Sequence, residues 1–470
     1  MKTPILDELN KIRKRERVSF HMPGHKGKST LINWADYIPY MDTTELDGLD
    51  NLHNPTGIIK ESQELAAKAF GAKKTIYSVN GTTAGIYIAL GAVTNPGDTI
   101  LIQRQSHKSI YNAAILNRLN IDYIYANYNE KYHLYTGINP LDVELKLKEN
   151  PNISAVVISH PNYFGLCSDI EKIAEIVHKY DKILLVDEAH GSHFTFSDKL
   201  PVSSLEAGAD ICVQSIHKTL PSFTQTSMIH VGTSRVNIEK LKRMSSLYQT
   251  TSPSYIFMLS LEIARAYMED EGKYRLDKII EKAEELTEKL KAIDGVYVFT
   301  GDEEDRTIKY KDATKILFGI ENMTGTQVMK ALMEDYGIYL EMSDYYYALA
   351  LSSVMNDEED FDYLKKALED LARRRPEKGH KAMDFDLPKA KASICLYEAY
   401  YSPKEVVNLR ESIGRISASF VIPYPPGVPL LCPGELISPE LVEYIEFANQ
   451  IGIEIIGLIS YNKEKIEVVK

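Results

Sequence analysis

From about residue 75 to 235 the chain alternates short β-branched runs with amphipathic stretches, and few folds accept that rhythm. Runs at 76–79, 99–102, 122–125, 155–158 and 183–186 read as buried strands, and 211–213 and 228–231 continue the series. Between them, 108–117, 140–149 and 169–180 have helical spacing with one charged face. Strand, helix, strand at this interval implies a mostly parallel α/β sheet of seven strands with helices on both sides. Ligands in such sheets sit beyond the carboxyl ends of the strands.

Further along, 254–290 reads as long helices. Residues 296–375 mix strands (315–320, 338–342) with two amphipathic helices, a small α+β unit. The run Arg373-Arg374-Arg375-Pro376-Glu377-Lys378-Gly379 reads as a linker. The expected division is an arm at 1–30, a large domain at 31–295, a small domain at 296–378 and a C-terminal α+β segment at 379–470. A formal charge of −12 argues against nucleic acid or an anionic membrane as the main partner. The first nineteen residues lack an apolar core for a signal peptide, and the uncharged stretches at 75–97 and 417–434 are broken by Gly and Pro. Four scattered cysteines without a C-x-x-C pair fit a reducing compartment, so a cytoplasmic protein is expected.

The strand at 183–186 ends in Asp187-Glu188-Ala189-His190-Gly191, and Ser215-Ile216-His217-Lys218 follows the next strand. A carboxylate at a strand's carboxyl end and a lysine past its neighbour can share one crevice. A lysine can bond a carbonyl cofactor while an acid keeps a heterocyclic nitrogen protonated, which is what pyridoxal phosphate requires. A strand-end cap and a surface lysine would give the same spacing. Asn80-Gly81-Thr82-Thr83-Ala84 opens an apolar helix whose N-terminus suits a phosphate, or is a plain capping turn. Neither G-x-G-x-x-G nor a P-loop is present: Gly27-Lys28-Ser29 resembles a P-loop end, but Met22 stands where its glycine belongs.

Eight of the twelve histidines (His21, His25, His53, His107, His160, His190, His193 and His217) lie at strand ends or beside Gly and Pro, which favours a site over core packing. Metal is not expected. Pro23-Gly24 prevents His21 and His25 from sharing a helix face, and His190 and His193 lack a third ligand.

Five motifs then occur in order: His21-Met22-Pro23-Gly24-His25-Lys26-Gly27, Ser106-His107-Lys108-Ser109, Asp187-Glu188-Ala189-His190-Gly191, Ser215-Ile216-His217-Lys218, and Tyr424-Pro425-Pro426-Gly427-Val428-Pro429 with Pro433-Gly434-Glu435. The chain resembles the bacterial ornithine/lysine/arginine decarboxylase family over nearly its whole length. The resemblance implies the aspartate-aminotransferase-like fold of pyridoxal-phosphate-dependent transferases. It makes Lys218 the lysine that bonds the cofactor, Asp187 the partner of the pyridinium nitrogen and His107 the stacking ring. His190 would donate to the phenolic oxygen, and Thr82, Thr83 and Ser215 would hold the phosphate. Thr251 would complete the phosphate site of a neighbouring subunit, Glu435 would face the substrate's distal cation, and His217 would be a proton donor. His21 and His25 could bracket a turn that locks the arm across a dimer partner, and Tyr345-Tyr346-Tyr347 reads as core or interface. The implied activity is decarboxylation of a basic amino acid in polyamine metabolism, with arginine first, then lysine, then ornithine. The alternative is an aminotransferase or lyase on the same fold. At least a homodimer is expected. The motifs begin almost at once, as in compact Gram-positive-type members, so the extra N-terminal domain of larger members and their decamer are not expected.

Overall fold

A computed structural model describes residues 18–26, 42–46, 48–378, 391–424, 428–450, 453–459 and 464–470. Most of the expected arm, Gly27-Lys28-Ser29, Gly379 of the linker and Pro425-Pro426-Gly427 lie outside the described residues.

In chain order the strands of the main body are β1 (Val18–Phe20), β2 (Lys74–Ser78), β3 (Thr99–Gln103), β4 (Asn120–Ile124), β5 (Ile153–Ser159), β6 (Ile183–Asp187), β7 (Ile211–Gln214) and β8 (Ser227–Val231). Strands β2 to β8 form one seven-stranded sheet in the order β2-β8-β7-β6-β5-β3-β4. Only β8 runs antiparallel to its neighbours. Side chains alternate between two cores: Ile100, Ile102, Val157 and Leu185 enter one, and Leu101, Val156, Ile158 and Val186 enter the other. Both faces are therefore covered, which is why these strands read as continuous apolar runs.

Helix α1 (Gly81–Val93) follows β2, and α2 (Lys108–Leu116) follows β3. Helix α1 is apolar nearly all round because it is buried, with Ala84, Ile86, Ile88 and Leu90 in the core. Its Gly85 allows the closest approach to the sheet, since a Cβ there would lie 2.6 Å from Val213 Cγ1. Gly81 opens the helix at φ +77°, a backbone state that L side chains rarely adopt.

A second, four-stranded antiparallel sheet contains Val296–Phe299, Lys315–Ile320, Ala348–Leu351 and Met342–Ser343 in that order. The helix Glu358–Arg373 places Phe361, Leu364 and Leu368 on its core. The expected 338–342 strand divides: Ile338–Leu340 turns away to pair in parallel with β1 of the same chain. The motif at 21–26 follows β1 and is bonded to its own chain. Gly24 N donates to His217 O (2.7 Å), Ser353 Oγ donates to Gly24 O (2.5 Å), and Lys26 Nζ donates to Leu351 O (2.7 Å). His21 rests against Tyr339 and His25 against Phe223.

In the C-terminal segment, Lys404–Asn408 pairs with Lys465–Val469 and Ile422–Tyr424 with Glu454–Ile456, beside the helix Pro439–Gln450. Leu396 and Cys432 join the core of the large sheet. Among the described residues, no helix is long and apolar enough to cross a membrane.

Candidate active site

The carboxyl ends of β3, β5, β6 and β7 open into a cavity of about 1270 Å³. Lys218, Asp187, His107, His190, His217, Thr82, Thr83 and Ser215 all line it. The topology explains the convergence: Asp187 ends β6, and Lys218 lies on the one-turn helix Ile216–Thr219 after β7. Lys218 is therefore a residue of the cavity and not of the outer surface.

Lys218 Nζ lies 3.0 Å from His190 Nε2. Burial lowers the Lys218 pKa, and the charge of Asp187 opposes that shift. Asp187 is 7% exposed, and its Oδ1 accepts from Ala189 N at 3.2 Å. Burial raises its pKa while Lys218 pulls it down. Burial, then Lys218 and Lys315, hold His190 well below the usual histidine range. His190 Nδ1 is buried without a hydrogen-bond partner. His107 caps α2, accepting from Ser109 N at 3.2 Å on Nδ1, and lines the cavity. The ring keeps solvent-accessible surface, yet desolvation by the protein around it, with Lys218 and Lys108 nearby, lowers its pKa to about 4.

Thr82 Oγ1 and Ser215 Oγ are bonded to each other, and Ser227 Oγ lies 3.2 Å from Thr82 Oγ1. Gln225 O receives Gly81 N at 2.9 Å, and Gln225 Nε2 donates to Val79 O at 2.8 Å, which pins the first turn of α1. A helix N-terminus flanked by converging hydroxyls binds a phosphate. These residues fit pyridoxal phosphate: an amine for its aldehyde, a buried acid lacking a full counter-charge for its ring nitrogen, and a cradle for its phosphate.

Two expected site residues lie elsewhere. Thr251 is exposed, before the helix Tyr255–Tyr267, and is not among the residues lining the cavity. The adjacent Thr250 N donates to Asn80 Oδ1 at 3.2 Å, so that turn abuts the phosphate helix. Glu435 is 1% exposed and does not line the cavity among the described residues. Its Oε2 pairs with Arg104 at 3.0 Å and accepts from Cys432 N at 2.8 Å. Arg104 does line the cavity and also donates to Pro429 O and Leu430 O at 2.6 and 3.1 Å.

Of the eight crowded histidines, only His107, His190 and His217 line the cavity. His160 is fully buried and bonds Val202 O at 2.9 Å, while His193 lies 3.2 Å from Asp312. Those two are held by the fold. The Tyr345–Tyr347 run divides: Tyr345 and Tyr346 line the cavity, whereas Tyr347 packs in a small core.

Sequence reasoning missed Tyr163, whose ring lies 4.6 Å from that of His190. Its hydroxyl donates to Glu341 Oε1 (3.2 Å), while Glu341 Oε2 accepts from Met22 N (2.8 Å). This relay joins the 21–26 motif to the lysine. Its position in the loop after β5, at a strand's carboxyl end, was the available signal. Lys315, fully buried and donating to Tyr163 O at 3.0 Å, was also missed; burial lowers its pKa to about 8.

The profile described as "Orn/Lys/Arg decarboxylase, major domain" matches residues 3–311, and the one for its C-terminal domain matches 382–459. An arginine decarboxylase of Bacillus anthracis is 35% identical, covering 100% of this chain and 97% of that protein. One of Bacillus subtilis is 34% identical over 100% and 98%. The constitutive lysine decarboxylase of E. coli superposes with a TM-score of 0.79 at 20% identity, over 100% of this chain and 82% of that one. An alanine–glyoxylate aminotransferase of Nostoc sp. shares the fold more distantly, with a TM-score of 0.59 at 19% identity over 76% and 95%. The chain therefore belongs to the Orn/Lys/Arg decarboxylase family of pyridoxal-phosphate enzymes and is a decarboxylase of basic amino acids.

Proposed function

We propose that the enzyme converts arginine to agmatine, with lysine and ornithine as poorer substrates. The observation that carries the chemistry is the convergence of Lys218, His190 and Asp187 on one cavity, with the Lys218 amine 3.0 Å from His190 and under the charge of Asp187. The choice of arginine is supported by the relatives that match over the full chain.

Lys218 would bond the cofactor's aldehyde, Asp187 would pair with its ring nitrogen, His107 would cover the ring and His190 would serve the phenolic oxygen. Thr82, Thr83 and Ser215 would hold the phosphate. When bound, the cofactor supplies an electron sink for the pair left on Cα as carbon dioxide departs. His217 Nδ1 donates to Thr226 O at 2.9 Å, and burial keeps the ring neutral with a pKa of about 4. With that proton committed, His217 is a poor acid near neutral pH. We assign return of the proton to Cα to the Lys218 ammonium, whose positive charge Asp187 favours.

Exposed Thr251, beside the phosphate helix, supports a homodimer with the site completed at its interface. The profile boundaries near 311 and 382 support a C-terminal unit beginning after about residue 379. The four unpaired cysteines support a reducing, cytoplasmic setting.

Incubation of the purified protein with pyridoxal phosphate and each amino acid should release agmatine fastest. Lys218→Ala should lose both the visible absorbance of the loaded enzyme and amine formation. Sustained turnover by Lys218→Ala would overturn the assignment, and faster cadaverine or putrescine release would overturn the substrate. Amino transfer to a keto acid without carbon dioxide release would favour the aminotransferase alternative.

A further inference from the structure

The cavity that holds Lys218 is also lined by two separate parts of the chain. One is the hairpin in which Tyr128 pairs with Tyr135, their rings 5.1 Å apart, with His133 at its turn. The other is the tight turn joining Met342–Ser343 to Ala348–Leu351. Tyr346 of that turn stacks on His133 at 4.2 Å and 7°, so the two parts form one aromatic surface. Asp344 stands at its edge. Its Oδ1 accepts from Tyr346 N and Tyr347 N at 2.8 and 2.7 Å, so the turn itself orients the carboxylate. Asp344 is part-exposed and lines the cavity; burial raises its pKa to about 6.

A cationic substrate needs a carboxylate at the far end. The acids lining the cavity, among the described residues, are Asp142, Asp187, Asp344 and Glu454. Asp187 belongs to the cofactor. Asp142 and Glu454 are exposed, and a solvated carboxylate binds a cation weakly. Glu435 already has Arg104 against it. Asp344 combines partial desolvation with aromatic faces, which are the two features that strengthen binding of a planar guanidinium.

We propose that Asp344 and the aromatic surface of Tyr128, His133, Tyr135 and Tyr346 receive the substrate's distal cation and set which basic amino acid is accepted. This rests on the decarboxylase reading above and deepens it. A cation entering this subsite finds a fixed carboxylate oxygen and a ring face together, and an uncharged side chain of the same length gains neither.

The test is the ratio of kcat/KM for arginine to that for citrulline, its uncharged isostere, in the cofactor-loaded enzyme. Asn at position 344 keeps an acceptor oxygen for the turn while removing the charge. Asp344→Asn should cut the ratio at least about 30-fold, through KM for arginine, with kcat within about threefold and the cofactor absorbance unchanged. Tyr346→Leu should cut it about fivefold and Tyr346→Phe should restore it. If the unaltered enzyme prefers lysine, the same ratio is read between lysine and norleucine; that result would revise the substrate and leave this subsite under test. An unchanged ratio in a folded, cofactor-loaded Asp344→Asn variant would overturn the inference.

Discussion

The convergence of Asp187 and Lys218 on one cavity was legible because Asp187 directly follows an apolar run and Lys218 lies in the turn of helix after the neighbouring strand, where topology leaves little freedom. Glu435 shows where such reading stops. Its motif is plain, yet its partner Arg104 lies 331 residues away, and no local spacing announces that pair. Tyr163 was hidden for another reason: an aromatic after a strand reads as packing until its hydroxyl partner is known. The side chains of the Arg104–Glu435 pair are 6% and 2% exposed. Removing one charge leaves the other buried and uncompensated, which costs roughly 3–5 kcal/mol. Glu435→Gln should therefore lower the denaturant midpoint sharply. The double variant Arg104→Met with Glu435→Leu should recover much of the loss, and additive losses would show that the pair is not coupled.

At the scale of elements, the seven strands and the helices between them followed from hydrophobic period. Direction did not, since an alternating pattern is the same read either way, and so the reversal of β8 stayed invisible. The pairing of β1 with Ile338–Leu340 was equally hidden, because strand pairs distant in sequence leave no local mark. The phosphate helix α1 was legible as an apolar segment, but its closeness to the sheet was not. That closeness gives a prediction. Gly85→Ala gains about 1 kcal/mol of helix propensity but meets Val213 Cγ1 at 2.6 Å, and overpacking costs roughly 1–3 kcal/mol. The helix should shift outward and carry Thr82 with it. Gel filtration should then strip more pyridoxal phosphate from the variant than from the unaltered enzyme, read as loss of visible absorbance. Equal retention and an unchanged melting temperature would show that the helix has room to spare.

For the whole molecule, the net charge of −12 says less about stability than the titratable groups sealed inside. Burial lowers His160 from 6.5 to about 4 and His230 to about 3, and both are fully buried. His190 is lowered in the same way. These rings are neutral when folded, so the unfolded chain binds more protons below pH 6.5. Their contribution is present above 6.5 and is lost as pH falls toward 4 and 3. Glu188, raised by burial to about 7, opposes this between about 4.5 and 7, as does Asp344 on a smaller scale. The histidines prevail in sum, so the melting temperature should fall between pH 7 and pH 5; a flat or rising profile would contradict the balance. The cis stapling of the 21–26 motif has a consequence for biosynthesis. Lys26 closes on Leu351, 325 residues later, and Gly24 braces the one-turn helix that carries Lys218. At roughly 5–20 residues per second, a ribosome takes tens of seconds to travel between those two points. The seven-stranded sheet can assemble in that interval, but the brace behind Lys218 must wait for residue 351 to leave the exit tunnel. Nascent chains should therefore pass through a period with Lys218 made and its brace missing.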